Sequence, residues 1–514
     1  MTGHRIKLFS MRTANVHRTA CLGAATILGA ALAGCGGSGS GSGGGGGGGG
    51  QTPDMGTLTT VSDSYEYTLE NGASSLVLGI QGQSQTAGVS VAQETSTGST
   101  DSLWHFLPMN NDQYNIENML THQLMGVANA ATTAGAQVLQ WADNGTNDHI
   151  WEFYLLTDGS YLIKNANSGL YLEDAGSSTT ASATIDQGTR ATTGAGCTCQ
   201  EWKLTPNNTS PYPNPLAVNV SYTAPDTAGI GIHDPSMLKV GSTYSLFSTH
   251  GLLHAHTSTD RANFSDDGYA LASLPAWTNP YTASSGDLWA PDASIHNGVV
   301  WLYYAASGFG SNYSAIGLAT SPSGAPGTFV DSGAPVYTSS DCTGSNAIDP
   351  ASVVDGSGNA WLAFGSWSSG IQIVPVDNTT GIPTGGACTQ LAYHATGTGI
   401  EGSYIYPHGG YYYLFASVDN CCNGVTSTYR IIVGRSNSVN GPYTDRGGVA
   451  LTSGGGTIVL SAHGNINGPG GQTLFPDTDG DILVYHYYDG NNNGTPTLGI
   501  NRLYFTSDGW PYIQ

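Results

Sequence analysis

The sequence predicts an all-β chain in two successive domains, each built from internal repeats. Three observations point there. Short β-branched and aromatic runs alternate with Gly, Ser, Thr and Asn clusters along most of the 514 residues. Long amphipathic periodicity is missing. Tryptophan and carboxylate motifs recur at intervals of about 50 residues, too long for one hairpin and about right for a repeated supersecondary unit. A chain of this length exceeds what one hydrophobic core usually supports, so at least two cores are expected.

Charge narrows the class of partner. Thirteen Lys and Arg stand against 36 Asp and Glu, for a formal net charge of -23. A nucleic-acid surface needs a basic stripe, so no nucleic-acid partner is expected.

The first fifty residues read as export machinery. Arg12 and Arg18 precede an apolar run from about Cys21 to Ala33, too short for a permanent span, which ends in Leu32-Ala33-Gly34-Cys35. This resembles a bacterial lipobox, which implies a signal over residues 1–35 cut before Cys35 and a lipid on that thiol. Residues 36–56 form a Gly/Ser-rich tether. A lipid-anchored surface protein, or otherwise a secreted one, is the expectation. Its contact with the membrane would then be through the lipid alone.

The exported location favours disulfides among the six remaining cysteines, Cys197, Cys199, Cys342, Cys388, Cys421 and Cys422. Cys342 with Cys388 makes a plausible staple. Cys421 and Cys422 can pair with each other only through a strained ring. Neither a CxxC pair nor a zinc-spaced His cluster accompanies them.

Residues 57–206 carry a threefold repeat. Trp104, Trp151 and Trp202 close its units, 47 and then 51 residues apart, and Gln93 and Gln140 each stand eleven residues before a tryptophan. Units too small to bury their own apolar faces are expected to close into one barrel. The Gln and Trp motifs resemble the ricin-type β-trefoil of lectins and carbohydrate-binding modules. That resemblance implies buried tryptophans and sugar contacts from a nearby acid, an exposed aromatic and an amide, with Asp143, Asn144, Trp141 and Tyr171 as candidates.

A Pro/Asn-rich stretch from Pro206 to Pro215 marks a linker. The remaining domain, 216–514, contains five apolar runs, beginning at Tyr244, Val300, Trp361, Tyr411 and Ile482, each followed by a second apolar strand. Five such units describe a five-bladed β-propeller. The predicted fold is therefore a β-trefoil followed by a five-bladed β-propeller.

About ten residues before four of these runs stands an acid: Asp234, Asp292, Asp349 and Glu401. Equivalent positions on successive blades would gather all four around the axis. Converging carboxyls repel, which separates their pKa values, and glycoside hydrolysis needs one protonated and one ionised carboxyl. An isolated Asp-Pro could merely cap a turn, but a regular series ending in Glu argues for chemistry.

The motifs His233-Asp234-Pro235, Trp289-Ala290-Pro291-Asp292, Asn346-Ala347-Ile348-Asp349-Pro350 and Glu401-Gly402-Ser403-Tyr404 resemble glycoside hydrolase family 43, and within it the endo-1,5-α-L-arabinanases. Ser427-Thr428-Tyr429-Arg430-Ile431, Gly468-Pro469-Gly470 and Tyr485-His486-Tyr487-Tyr488-Asp489 continue the match. The resemblance implies an inverting enzyme on arabinan or another arabinose-containing pectic polysaccharide. Asp234 would be its base, Glu401 its acid and Asp349 the third carboxylate that raises and orients the acid. Inversion would hold base and acid roughly 6.5 to 9.5 Å apart, leaving room for a water. The resemblance implies that Asp292 is a subsite or structural residue outside the catalytic trio, and it is placed among the substrate-binding candidates. Trp289, Phe309 and Trp367 are candidates to stack on sugar, and His233 and Asn346 to bind it. No cofactor is expected for the chemistry. Family members often hold a central metal through a His after Gly-Pro-Gly, where this chain has Gly471-Gln472, so a structural Ca²⁺ would fall to His463 or Gln472. An exo-acting arabinofuranosidase or β-xylosidase, and a non-catalytic glycan-binding protein, remain as alternatives.

Overall fold

The computed structural model describes residues 53–63, 65–142, 146–190, 196–207, 211–222, 231–385, 387–394, 399–506 and 508–514. The expected signal, Cys35, nearly all of the Gly/Ser tether, Asp143 and Asn144 lie outside the described residues.

Six strands, Glu66–Asn71, Trp104–Pro108, Gln113–Asn118, Ile150–Leu155, Tyr161–Asn165 and Trp202–Pro206, pair in that order, and the last pairs back onto the first. Three hairpins cap this barrel: Val77–Ile80 with Val91–Glu94, Leu124–Val127 with Ala136–Trp141, and Tyr171–Asp174 with Ile185–Gly188. The result is a β-trefoil. Trp104, Trp151 and Trp202 are all fully buried. Each satisfies its indole N–H on a main-chain oxygen, of Leu78, Met125 and Leu172 respectively, at 2.9 to 3.0 Å.

A second threefold set ties the repeats in a ring. The amide of Gln93 donates to Ser178 and Thr180 of the third repeat. Gln140 donates to Ser84 and Thr86 of the first, and Gln187 to Ala131 and Thr133 of the second. Gln187 stands fifteen residues before its tryptophan rather than eleven. The longer third repeat carries the Cys197–Cys199 disulfide, which obscures the spacing.

Beyond residue 231 the chain forms five antiparallel sheets. Their inner strands are Ser236–Val240, Trp289–His296, Ala351–Val354, Ile400–His408 and Ile466–Asp477. Each inner strand packs on the next and the fifth packs on the first, closing a five-bladed propeller. The five apolar runs of the sequence are the second strands, buried between neighbouring blades. The ring is sealed by the segment before the first blade. Asn219–Val220 adds a parallel strand to Asn263–Tyr269 of blade I, and the Leu216 N–H donates to Ile500 of blade V at 2.8 Å. Met237, Leu246 and Phe264 of blade I share one core with Ile482, Val484 and Ile500 of blade V.

The stretch expected as a linker is anchored. Tyr212 is 5% exposed and its ring meets trefoil His105 edge-on at 5.5 Å. Beside it the trefoil carboxylate of Glu117 faces propeller Arg446 at 3.4 Å, and His122 stacks on Tyr512 with ring centres 4.0 Å apart. Cys342 pairs with Cys388, as the sequence suggested, and the adjacent Cys421 and Cys422 also pair.

Candidate active site

A cavity of about 800 Å³ opens on the propeller axis. It is lined by His233, Asp234, Asn346, Asp349 and Glu401 from the starts of the inner strands, and by Tyr429 and Tyr488. The backbone explains how two aspartates reach it. Asp234 and Asp349 each precede a proline and take left-handed conformations, φ 47° and 54°. The pre-proline position disfavours the ordinary helical well, and Asp tolerates the left-handed one better than most residues.

The blade II residue in this conformation is Ala290, φ 44°, before Pro291. Ala290 therefore takes the place that Asp234 and Asp349 hold, and Asp292 lies two residues farther along the strand, past a register irregularity. This corrects the expectation that Asp292 contacts substrate. Asp292 is 2% exposed and does not line the cavity. Its carboxyl accepts from the Ser352 N–H at 2.8 Å and the Ser352 hydroxyl at 2.9 Å, linking blades II and III. Burial pushes it up to about 6, against those two bonds.

The three lining acids have different surroundings. Asp234 Oδ2 accepts from Thr249 Oγ at 2.7 Å and from His233 Nδ1 at 2.8 Å. Its main-chain N–H donates to His486 Nδ1 at 3.1 Å. Burial opposes its ionisation, but the charge and hydrogen bond of His233, with His486 and Thr249, outweigh that and hold Asp234 well below the usual carboxylate range. A carboxylate only accepts, so Nδ1 of His233 donates, and its Nε2 lies 2.8 Å from the Tyr488 hydroxyl. Tyr488 Oη in turn accepts the Cys422 N–H at 2.8 Å, so the paired cysteines buttress the residue that holds Asp234.

Glu401 is 9% exposed. It accepts from Ser366 Oγ at 2.6 Å on Oε2 and from the Tyr429 hydroxyl on Oε1. Burial and the charge of Asp234 push it up despite both hydrogen bonds. Asp349 accepts the N–H of Gly402, the residue after Glu401, at 3.0 Å. Burial, then the charges of Glu401 and Asp234, push Asp349 well above the ordinary range. One carboxyl is thus driven toward ionisation and two toward keeping their protons, the direction of split that acid–base cleavage of an acetal requires.

Trp289, Phe309 and Trp367 line the same cavity, with Phe309 84% and Trp367 40% exposed. Asn346 lines it too, its amide oxygen accepting from Ser314 Oγ at 2.7 Å. The two expected metal ligands do not meet there. His463 is buried near Tyr212 with Nδ1 2.9 Å from the Ser461 carbonyl. Gln472 donates to the Gly402 carbonyl at 2.5 Å and accepts from Ser417 Oγ at 2.8 Å, spending both ends of its amide. The metal-capable cluster that does form at the axis is His233, Asp234 and His486. Two imidazoles and one carboxylate are a poor match for Ca²⁺, which takes six to eight oxygens.

Sequence reasoning gave no role to Thr249, Ser366, Tyr429 or His486. The last two stood within the Ser427–Ile431 and Tyr485–Asp489 motifs. Thr249 and Ser366 follow the second strands of blades I and III, so a polar residue just past an apolar run was the available signal.

Residues 229–511 match the family described as Glycosyl hydrolases family 43. The chain belongs to glycosyl hydrolase family 43. Residues 57–141 and 147–213 match the ricin-type beta-trefoil lectin domain-like family. The family 43 domain is similar to the extracellular endo-alpha-(1->5)-L-arabinanase 1 of Bacillus subtilis (strain 168), 43% identical over 286 residues, which cover 54% of this chain and 87% of the relative. Among solved structures, the GH43 endo-arabinanase from Bacillus licheniformis is 40% identical with a TM-score of 0.52, over 58% of this chain and all of that one. The Cellvibrio cellulosa α-L-arabinanase complexed with arabinohexaose is 33% identical with a TM-score of 0.53, over 56% of this chain and 96% of that one.

Proposed function

We propose that this family 43 hydrolase cleaves α-1,5-L-arabinofuranosidic bonds within arabinan, with inversion, using Asp234 as base and Glu401 as acid. The observation that carries the reading is a single cavity lined by Asp234 and Glu401, whose surroundings push their pKa values in opposite directions. Ionised Asp234 removes a proton from a water on one face of the sugar, while Glu401 delivers its own to the departing glycosidic oxygen on the other. Asp349 acts through Glu401: it holds the Gly402 N–H, and the charge of Glu401 opposes its ionisation. His233 keeps Asp234 ionised and turned toward the cavity. Trp289 and Trp367 offer faces for neighbouring furanose rings.

The trefoil adds a carbohydrate-binding surface. Trp141, 42% exposed, borders a cavity of about 360 Å³ together with Asp148 and His149, and Trp141→Ala should weaken retention on insoluble arabinan without slowing cleavage of short soluble substrates. Export rests on the Arg12-to-Cys35 segment and on the extracellular relative. Lipid attachment at Cys35 would place both domains at a surface on a flexible tether.

Product sizes over time on linear arabinan test the activity. Mixed oligosaccharides early in the reaction support internal cleavage, and arabinose alone from the first minutes contradicts it.

A further inference from the structure

Blade I carries a second group of ligand-type side chains on its outer strands, apart from the catalytic cavity. His254 and His256 alternate on the strand His254–Ser258, so both leave the same face of the sheet. Asp266 stands opposite His256 on the neighbouring strand, and its Oδ1 lies 3.2 Å from His254 Nε2. One ring nitrogen from each histidine and one carboxylate oxygen fall within 4.8 Å of one another. The side chains of His254 and Asp266 are each 1% exposed, and His256 is fully buried.

An ion pair between His254 and Asp266 would account for two of these residues and leave the third unexplained. Neither ring nitrogen of His256 has a hydrogen bond of acceptable geometry, although the Ser221 carbonyl lies beside the ring and Tyr222 meets it edge-on at 5.3 Å. One main-chain oxygen can serve only one ring nitrogen, so at least one nitrogen of this sealed imidazole is left uncompensated.

We propose that His254, His256 and Asp266 bind one divalent transition metal, zinc by preference. Two imidazoles and a carboxylate suit zinc and its neighbours rather than calcium or magnesium. The burial of all three ligands makes the site structural. Its position lets the metal act on the closure of the ring, because Ser221 and Tyr222 belong to the segment that seals the propeller, and Ser221 Oγ accepts the Asp266 N–H at 3.3 Å. A metal here would pin that segment to blade I at the seam between the first and last blades.

The test is to strip the full chain with a chelator, reload it with Zn²⁺ or with Co²⁺ as a spectroscopic stand-in, and measure metal per chain and visible absorption. One equivalent is expected in the parent and in His486→Gln, which alters only the axial histidines, and none in His256→Gln or Asp266→Asn. Retained arabinan hydrolysis in the two latter variants reports that they fold. Metal loading should raise the melting midpoint of the parent by on the order of 5 °C and leave that of His256→Gln unmoved. Absence of stoichiometric metal in the parent, an undiminished equivalent in His256→Gln, or loss confined to His486→Gln would each overturn the proposal.

Discussion

The hydroxyl of Tyr429 is hydrogen-bonded to Glu401, the carboxyl proposed as the acid. Burial raises the pKa of Glu401, and the bond from Tyr429 lowers it by favouring the ionised form. Tyr429→Phe should therefore leave Glu401 protonated to higher pH, and the alkaline limb of kcat/KM should move upward. A pH–rate profile of the purified variant checks this; an alkaline limb that stays put or moves down contradicts the assignment of Glu401 to that limb.

With Asp234 as the proposed base, the acidic limb reports its ionisation, and its depressed pKa depends most on His233 once burial has been overcome. In His233→Ala the hydrogen bond and positive charge are gone, so Asp234 should take up a proton at higher pH and the acidic limb should move upward. The same linkage affects stability. A depressed carboxyl contributes stability above its unfolded value, near 3.9, and loses it as pH falls through the folded value. His233→Ala should thus be less stable than the parent at neutral pH, and the deficit should shrink as pH falls from the unfolded value toward the depressed folded one, which denaturant titrations across the acidic range would reveal.

Glu401→Gln removes the proposed proton donor while keeping the volume and one of the two accepting oxygens. Turnover of arabinan should fall about 10²- to 10⁴-fold. An aryl arabinofuranoside whose leaving group needs no proton should lose far less, and equal losses on both substrates would argue that Glu401 has another role.

At the domain junction Glu117 sits among His105, His122 and Arg446. Burial opposes its charge, but these partners hold it well below the ordinary range. Removing one partner of a buried pair leaves an uncompensated charge, at a cost of about 3 kcal/mol. Glu117→Ala should loosen trefoil from propeller and split thermal unfolding into two transitions in calorimetry, with arabinan hydrolysis by the propeller preserved.

Much of this architecture was legible in the linear order of residues. The 47-residue spacing of Trp104 and Trp151, and the five apolar runs, specified a threefold barrel and a five-bladed ring, because each repeat must bury its apolar face against a copy of itself. The His233-Asp234-Pro235 and Glu401-Gly402-Ser403 motifs named the acids that line the cavity. Which acids meet depended on the folded ring. Periodicity ranked Asp292 with Asp234, but the strand register places Ala290 at the axis and sends Asp292 into a bond with Ser352 on the next blade. His463 and Gln472 were similarly withdrawn, one to the domain junction and the other to Ser417 and Gly402. The partners that set the protonation of the site come from separate blades, from Thr249 in blade I through Ser366 and Tyr429 to His486 in blade V. Local spacing cannot report a pKa, because a pKa is set by burial and by charges across space, and both exist only once the ring has closed.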